Sequence, residues 1–128
     1  MKARSVRAWV FDPHSGGAKI PEALKEQTKR RILAHAQKHY AGRYHRLDIR
    51  FRGPLCYIDA FIEPPGSFAS LPPEEATHLC RLRHKGQDRW SVDFFTYSHE
   101  RYEPSFFASG DAIGTPEEGF DVGAVYLA

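Results

Sequence analysis

Several stretches of the chain set arginine and aromatic residues at every second position, the spacing that places both on one face of a sheet. From Tyr44 to Gly53 the residues alternate, with His45, Leu47, Ile49 and Phe51 on one side and Arg46, Asp48, Arg50 and Arg52 on the other. Tyr57, Asp59 and Phe61 fall on that second side in the next segment, and Leu79, Arg81, Arg83, Phe95 and Tyr97 do so further on. Such a face has the chemistry to hold single-stranded nucleic acid: Tyr57, Phe61, Phe95 and Tyr97 would stack bases while Arg46, Arg50, Arg52, Arg81 and Arg83 neutralise phosphates. The RNP consensus of RNA-recognition motifs is absent. The competing use of the same residues is a ladder of arginine–acid pairs whose aromatics are covered by the segment 64–76 or by a second copy of the chain, which makes a homodimer the other expected partner.

Three further groups could do chemistry. The segment His14-Ser15-Gly16-Gly17-Ala18-Lys19 has the outline of an anion-binding loop, because glycines before a helix start expose backbone N–H groups and Lys19 adds charge. It lacks the spacing of a phosphate-binding Walker loop, and a plain two-glycine turn is the commoner explanation. His35 and His39, four apart on a helix, could reach one metal with Cys56 and Cys80, but the Glu of a zinc-protease motif is missing. Small core thiols and core-edge imidazoles explain these four more simply, and neither a metal nor a cofactor is expected. His14, His99, Asp59, Glu63 and Glu100 are candidate acids and bases, with Ser15 and Ser98 as candidate hydroxyl nucleophiles. Asp59 with Arg50 and Arg81 has the makings of a nuclease-like, phosphoryl-transfer site, against the alternative of two salt bridges.

These residues must be positioned by regular elements. Val6–Phe11 reads as a strand that ends at the turn formers Asp12 to Gly17. Pro21 to Ala41 reads as a helix stopped by Gly42, with Ile20, Leu24, Thr28, Ile32, His35, Ala36 and His39 on one arc. Two strands follow, Tyr44–Gly53 and Leu55–Glu63. Placing Pro54 and Leu55 at the turn centre sets Arg50 against Asp59 and Arg46 against Glu63, whereas the rival register would oppose Asp48 and Asp59, like charge to like. A second hairpin, Thr77–Lys85 with Arg89–Tyr97, pairs Cys80 with Phe94 and Leu82 with Val92 inward, and Arg81 with Asp93 and Leu79 with Phe95 outward. Tyr102–Ala108 reads as one more strand, and Thr115-Pro116-Glu117-Glu118 carries the signature of a capped helix start. The expected fold is α+β: an antiparallel sheet of about five to six strands, one long helix packed on one face, and a short C-terminal helix.

With 128 residues, 41% hydrophobic and 27% charged, the chain has the balance of one soluble domain. Neither Cys56 nor Cys80 belongs to a C-x-x-C pair, which suits a reducing cytoplasm. No stretch approaches a membrane span, so no membrane partner is expected. Charge is uneven. Residues 1–52 hold 13 Lys or Arg and 4 Asp or Glu, a balance of +9, while residues 53–128 hold 5 and 12, a balance of −7. The asymmetry makes a basic face unless the halves interleave in one sheet.

The stretches WVFDPHSGGAKIP, RFRG, CYIDAF, THLCRLR, Trp90 to Pro104 and GTPEEGFDVGAVYL resemble a group of short bacterial proteins described only as hypothetical. The likeness spans nearly the whole chain. It implies a small bacterial protein and brings no substrate, cofactor or catalytic residue with it. The expectation is a cytosolic binding protein that uses its arginine–aromatic sheet face, with single-stranded nucleic acid first among partners and a phosphoryl-transfer enzyme or a dimer-forming structural protein as the alternatives.

Overall fold

The computed structural model describes residues 13–62 and 75–128. The expected strand Val6–Phe11, Glu63 and most of the segment 64–76 lie outside the described residues. Helix α1 (Glu22–Tyr40) follows Pro21, whose extended backbone serves as the N-cap. It ends before Gly42, which takes the left-handed conformation (φ 83°) that residues other than glycine adopt at a cost. Ile20, Thr28, Ile32 and Ala36 are buried, as the apolar arc requires, whereas His39 at the arc's edge is exposed.

Five strands, β1 (Arg46–Arg52), β2 (Leu55–Phe61), β3 (Thr77–His84), β4 (Trp90–Thr96) and β5 (Arg101–Ser105), form one antiparallel sheet in chain order. The β1–β2 register differs from expectation: Arg46 faces Phe61, Asp48 faces Asp59 and Arg50 faces Tyr57. Gly53 (φ 58°) and Pro54 form the two-residue turn, the glycine supplying the positive φ that such turns demand. The opposed aspartates are tolerated because Arg50 Nη1 donates to both, at 2.6 Å to Asp48 Oδ2 and 2.8 Å to Asp59 Oδ2.

Strands β3 and β4 pair as the alternation predicts, Cys80 to Phe94, Arg81 to Asp93 and Leu82 to Val92. Between β2 and β3 the ladder shifts: Ile58 pairs with Cys80 but Asp59 pairs with His78, so Leu79 is the extra residue of a bulge. Leu79 is fully buried in the core rather than outward beside Phe95. Pro104 is accommodated because β5 pairs with β4 on one side and ends the sheet order.

Helix α2 (Pro116–Gly123) carries the full capping box, Thr115 and Glu118 each bonding the other's backbone N–H, with Pro116 in the first turn. A 3-10 turn, Ala124–Leu127, completes the chain's regular structure. This short helix, rather than the long one alone, covers β3 and β4; α1 packs against α2 and β1. Close approach depends on two glycines. A Cβ at Gly123 would lie 2.8 Å from the Leu79 carbonyl oxygen, and one at Gly119 would lie 2.4 Å from Leu82 Cδ2. Trp90, Phe120, Ile58, Leu82 and Val92 fill the layer between. No helix among the described residues is long and apolar enough to cross a membrane.

Candidate functional site

The face of the sheet turned away from the helices is organised around two buried carboxylates. Asp59 is 2% exposed and Asp93 is 3% exposed. Burying a carboxylate is costly unless donors replace its water; Asp59 receives an arginine and a histidine, and Asp93 an arginine with a histidine nitrogen at ion-pair distance. Asp59 accepts from Arg50 Nη1 at 2.8 Å and from His78 Nδ1 at 2.9 Å. Asp93 Oδ2 accepts from Arg81, Nε at 2.9 Å and Nη2 at 2.8 Å, while His14 Nδ1 lies 3.3 Å from its other oxygen.

The bulge is what brings His78 here. In a regular strand His78 would share a face with Cys80 and Leu82, under the helices. The extra residue reverses that phase and re-aims the imidazole onto the outer face, where its side chain is 40% exposed. A carboxylate only accepts, so the shared hydrogen sits on Nδ1, and Nε2 is left as the acceptor. Phe95, Tyr97 and Tyr102 surround the ring at centroid distances of 4.7, 6.4 and 6.5 Å. The Tyr97 hydroxyl accepts from the His78 backbone N–H at 2.6 Å, fixing the bulge from the solvent side. Arg81 lies 4.8 Å from the Tyr102 ring and 5.9 Å from that of Tyr57. Burial pushes the Tyr97 and Tyr102 phenols upward, so both stay protonated donors at neutral pH.

Of the expected nucleic-acid face, the structure brings Arg46, Arg50, Tyr57, Phe61, Arg81, Phe95 and Tyr97 to one side of the sheet, but largely engages them with one another. Arg46 lies 3.8 Å over the Phe61 ring. Arg50 is tied to Asp48 and Asp59, Arg81 to Asp93, and Arg83 Nη1 to the Gly16 carbonyl at 2.6 Å. Phe95 is 9% exposed beneath Tyr97 and Tyr102, and only Tyr97 among the predicted stacking residues is an exposed ring, at 45%. Arg52 is exposed. The face is an arginine–aspartate ladder with histidines in it. Asp59 pairs with Arg50 through their side chains, though the two are not register partners, and Arg81 pairs with Asp93 as the second hairpin's register predicts, so it does not join Asp59.

The loop His14–Lys19 turns its carbonyls, not its N–H groups, to the neighbouring cations: Lys85 Nζ donates to Ser15 O at 2.6 Å, beside the Arg83 bond to Gly16 O. Ala18 N donates to His84 O at 2.8 Å. Gly17 (φ 131°) packs so closely that a Cβ would stand 2.7 Å from Pro54 Cβ. Lys19 is exposed. The loop's consequence is the delivery of His14 to Asp93.

The helical histidines go elsewhere. His35 Nε2 is 2.7 Å from Asp121 Oδ1, to which the Tyr40 hydroxyl also donates at 2.8 Å, and the His39 ring lies tilted against that of His35, centroids 4.7 Å apart. Cys56 and Cys80 are free and buried within the sheet; burial pushes the Cys56 thiol up to about 12 and Cys80 well above its ordinary value, so neither is a thiolate nucleophile at neutral pH. Among the described residues no group of three or more His, Cys, Asp or Glu could hold a metal ion. His99 pairs with Glu103, which also binds Arg101, beside the turn that holds the exposed Ser98 and Glu100; none of these joins Asp59. His78, Tyr102 and the seat of His14 on Asp93 escaped the sequence reading. Tyr102 was legible as the partner of Phe95, but a bulge leaves no mark in the alternation that hides it.

Comparison of the chain with protein-family models, with curated proteins and with solved structures finds no match.

Proposed function

We propose that the protein is an acid–base enzyme of the phosphoryl-transfer class, working on phosphodiester substrates at the outer sheet face. The observation that carries this is the Asp59–His78 pair: a carboxylate at 2% exposure bonded to Nδ1 of an imidazole that reaches solvent. A buried carboxylate in that position orients the ring, selects the tautomer with Nε2 as acceptor, and stabilises the imidazolium formed when Nε2 takes a proton from water or a substrate hydroxyl. Arg50 holds the second oxygen of Asp59 and keeps it from swinging to other donors.

Substrate class follows from charge. The outer face gathers Arg46, Arg50, Arg52, Arg81 and Arg83 against Asp48, Asp59 and Asp93, so it stays net positive after its internal pairs are counted. Single-stranded nucleic acid is then a substrate held by charge and by Tyr97, rather than a chain of bases stacked on an open aromatic sheet. The test is incubation with end-labelled single-stranded RNA and DNA of mixed sequence. Cleavage is expected of the native chain, and H78A should lose at least about a hundredfold in rate, the usual worth of a general base. Full activity in H78A would remove the reading. Salt-sensitive binding without cleavage would replace it by a binding protein.

A further inference from the structure

Next to the Asp93–His14 pair, the sheet buries two donors that no group among the described residues accepts from. Arg83 and Ser91 are register partners on β3 and β4, so their side chains share the outer face. Ser91 is 1% exposed, and both its Oγ and Arg83 Nε are buried with no hydrogen-bond partner among the described residues. Buried donors in native proteins are rarely left so. The Pro13–Gly17 segment closes over them, since Arg83 Nη1 is bonded to Gly16 O and a Cβ at Gly17 would stand 3.2 Å from Arg83 Cγ.

We propose that this pair of donors is a phosphate subsite. With Nη1 committed to Gly16, the guanidinium presents its Nε–Nη2 edge, two parallel N–H groups that match two oxygens of a phosphate. The Ser91 hydroxyl supplies a third donor from the facing strand. Arg81 precedes Arg83 on β3 and Lys85 follows it just past the strand end, and Asp93, the register partner of Arg81, is already met by Arg81. Local charge therefore favours an oxyanion over a neutral guest. The loop thus serves a phosphate after all, through the arginine it clamps rather than through its own N–H groups. This inference deepens the phosphodiester reading and rests on it for the class of ligand: a phosphate of a nucleotide chain anchored at Arg83 and Ser91, one strand row from Tyr57 and Arg81.

Inorganic phosphate titrated into the full chain, at ionic strength held constant with sodium chloride, tests it by amide proton–nitrogen correlation spectra. Saturable shifts centred on Gly16, Gly17, Arg83 and Ser91 are expected, with S91A and R83K each weakening the apparent Kd by about tenfold. R83K keeps the charge and loses the fork, so its effect separates geometry from simple attraction, and retained dispersion of the spectra shows that each variant is folded. Shifts that fail to saturate, that chloride reproduces, or that are the same in both variants would overturn the subsite in favour of a bridging water. Phosphate seated here without oligonucleotide cleavage would remove the catalytic reading and keep this one; cleavage without a saturable phosphate shift would do the reverse.

Discussion

Asp59 and Asp93 each meet the problem of a carboxylate taken out of water with one arginine donor and one histidine beside it, bonded to Asp59 and 3.3 Å from Asp93. The two partners are not equivalent. Arginine stays charged at any accessible pH, so Arg50 and Arg81 set a fixed positive charge beside each aspartate. A third arginine does a structural version of the same work. Arg31 donates to Glu117 through Nε at 2.8 Å and Nη2 at 2.7 Å and to Asp88 through Nη1 at 2.8 Å, binding α1 to α2 and to the β3–β4 turn. Burial pushes the Glu117 carboxyl up, but the Arg31 bonds outweigh it, and the net position is below the usual 4.5. A depressed carboxylate stabilises the fold above its unfolded pKa and stops doing so as pH falls through the folded value. Urea unfolding of R31M should therefore show a loss of about 1 kcal/mol near neutrality that shrinks below pH 4.5. A loss that stays constant down to strong acid would mean that Arg31 acts by packing alone.

At the scale of elements, the sequence carries the helices and the second hairpin openly, because capping residues, glycine stops and strict alternation are local signals. Thr115, Pro116 and Glu118 announce α2, and the Arg81–Asp93 pairing follows from the turn at Gly86 to Asp88. The first hairpin does not yield to the same logic. Like-charge avoidance favours a register that Gly53 overrides, and the opposed Asp48 and Asp59 become acceptable only when a neighbour, Arg50, bridges both. The bulge is harder still, since Leu79 and His78 exchange faces through a backbone event that depends on β2, on α2 and on Tyr97 together. That account predicts opposite responses at adjacent positions. L79A should cost about 2 to 5 kcal/mol as a core cavity with the site chemistry left in place, whereas H78A, which takes one donor from Asp59, should cost about 1 to 3 kcal/mol and lose at least about a hundredfold in rate. Chemical denaturation of the two variants checks this, and a large loss in H78A with a small one in L79A would mean that the two side chains are exchanged.

Seen whole, the molecule divides its sheet between two tasks: one face is sealed by α2, the 3-10 turn and α1, and the other collects the ionisable and aromatic side chains. The charge halves of the chain, +9 and −7, meet on this sheet where Arg50 of β1 pairs with Asp59 of β2, while Arg81 and Asp93, both in the second half, pair across β3 and β4. Arg50 and Arg81 are thereby committed to internal pairs. Oligonucleotide affinity measured by anisotropy should fall with salt by a slope of only about two to three phosphate contacts, in place of the five that an uncommitted arginine face would give. Light scattering in the same buffers reports whether two copies join; a dimer that excludes oligonucleotide would assign the face to self-association instead. The central claim, that an imidazole held by Asp59 performs acid–base chemistry, is tested most directly by chemical rescue. Free imidazole added to H78A should restore cleavage of single-stranded oligonucleotides in a saturable way and leave the native chain's rate unchanged; H78A that is as active as the native chain, or that imidazole fails to revive while its fold is intact, would contradict it.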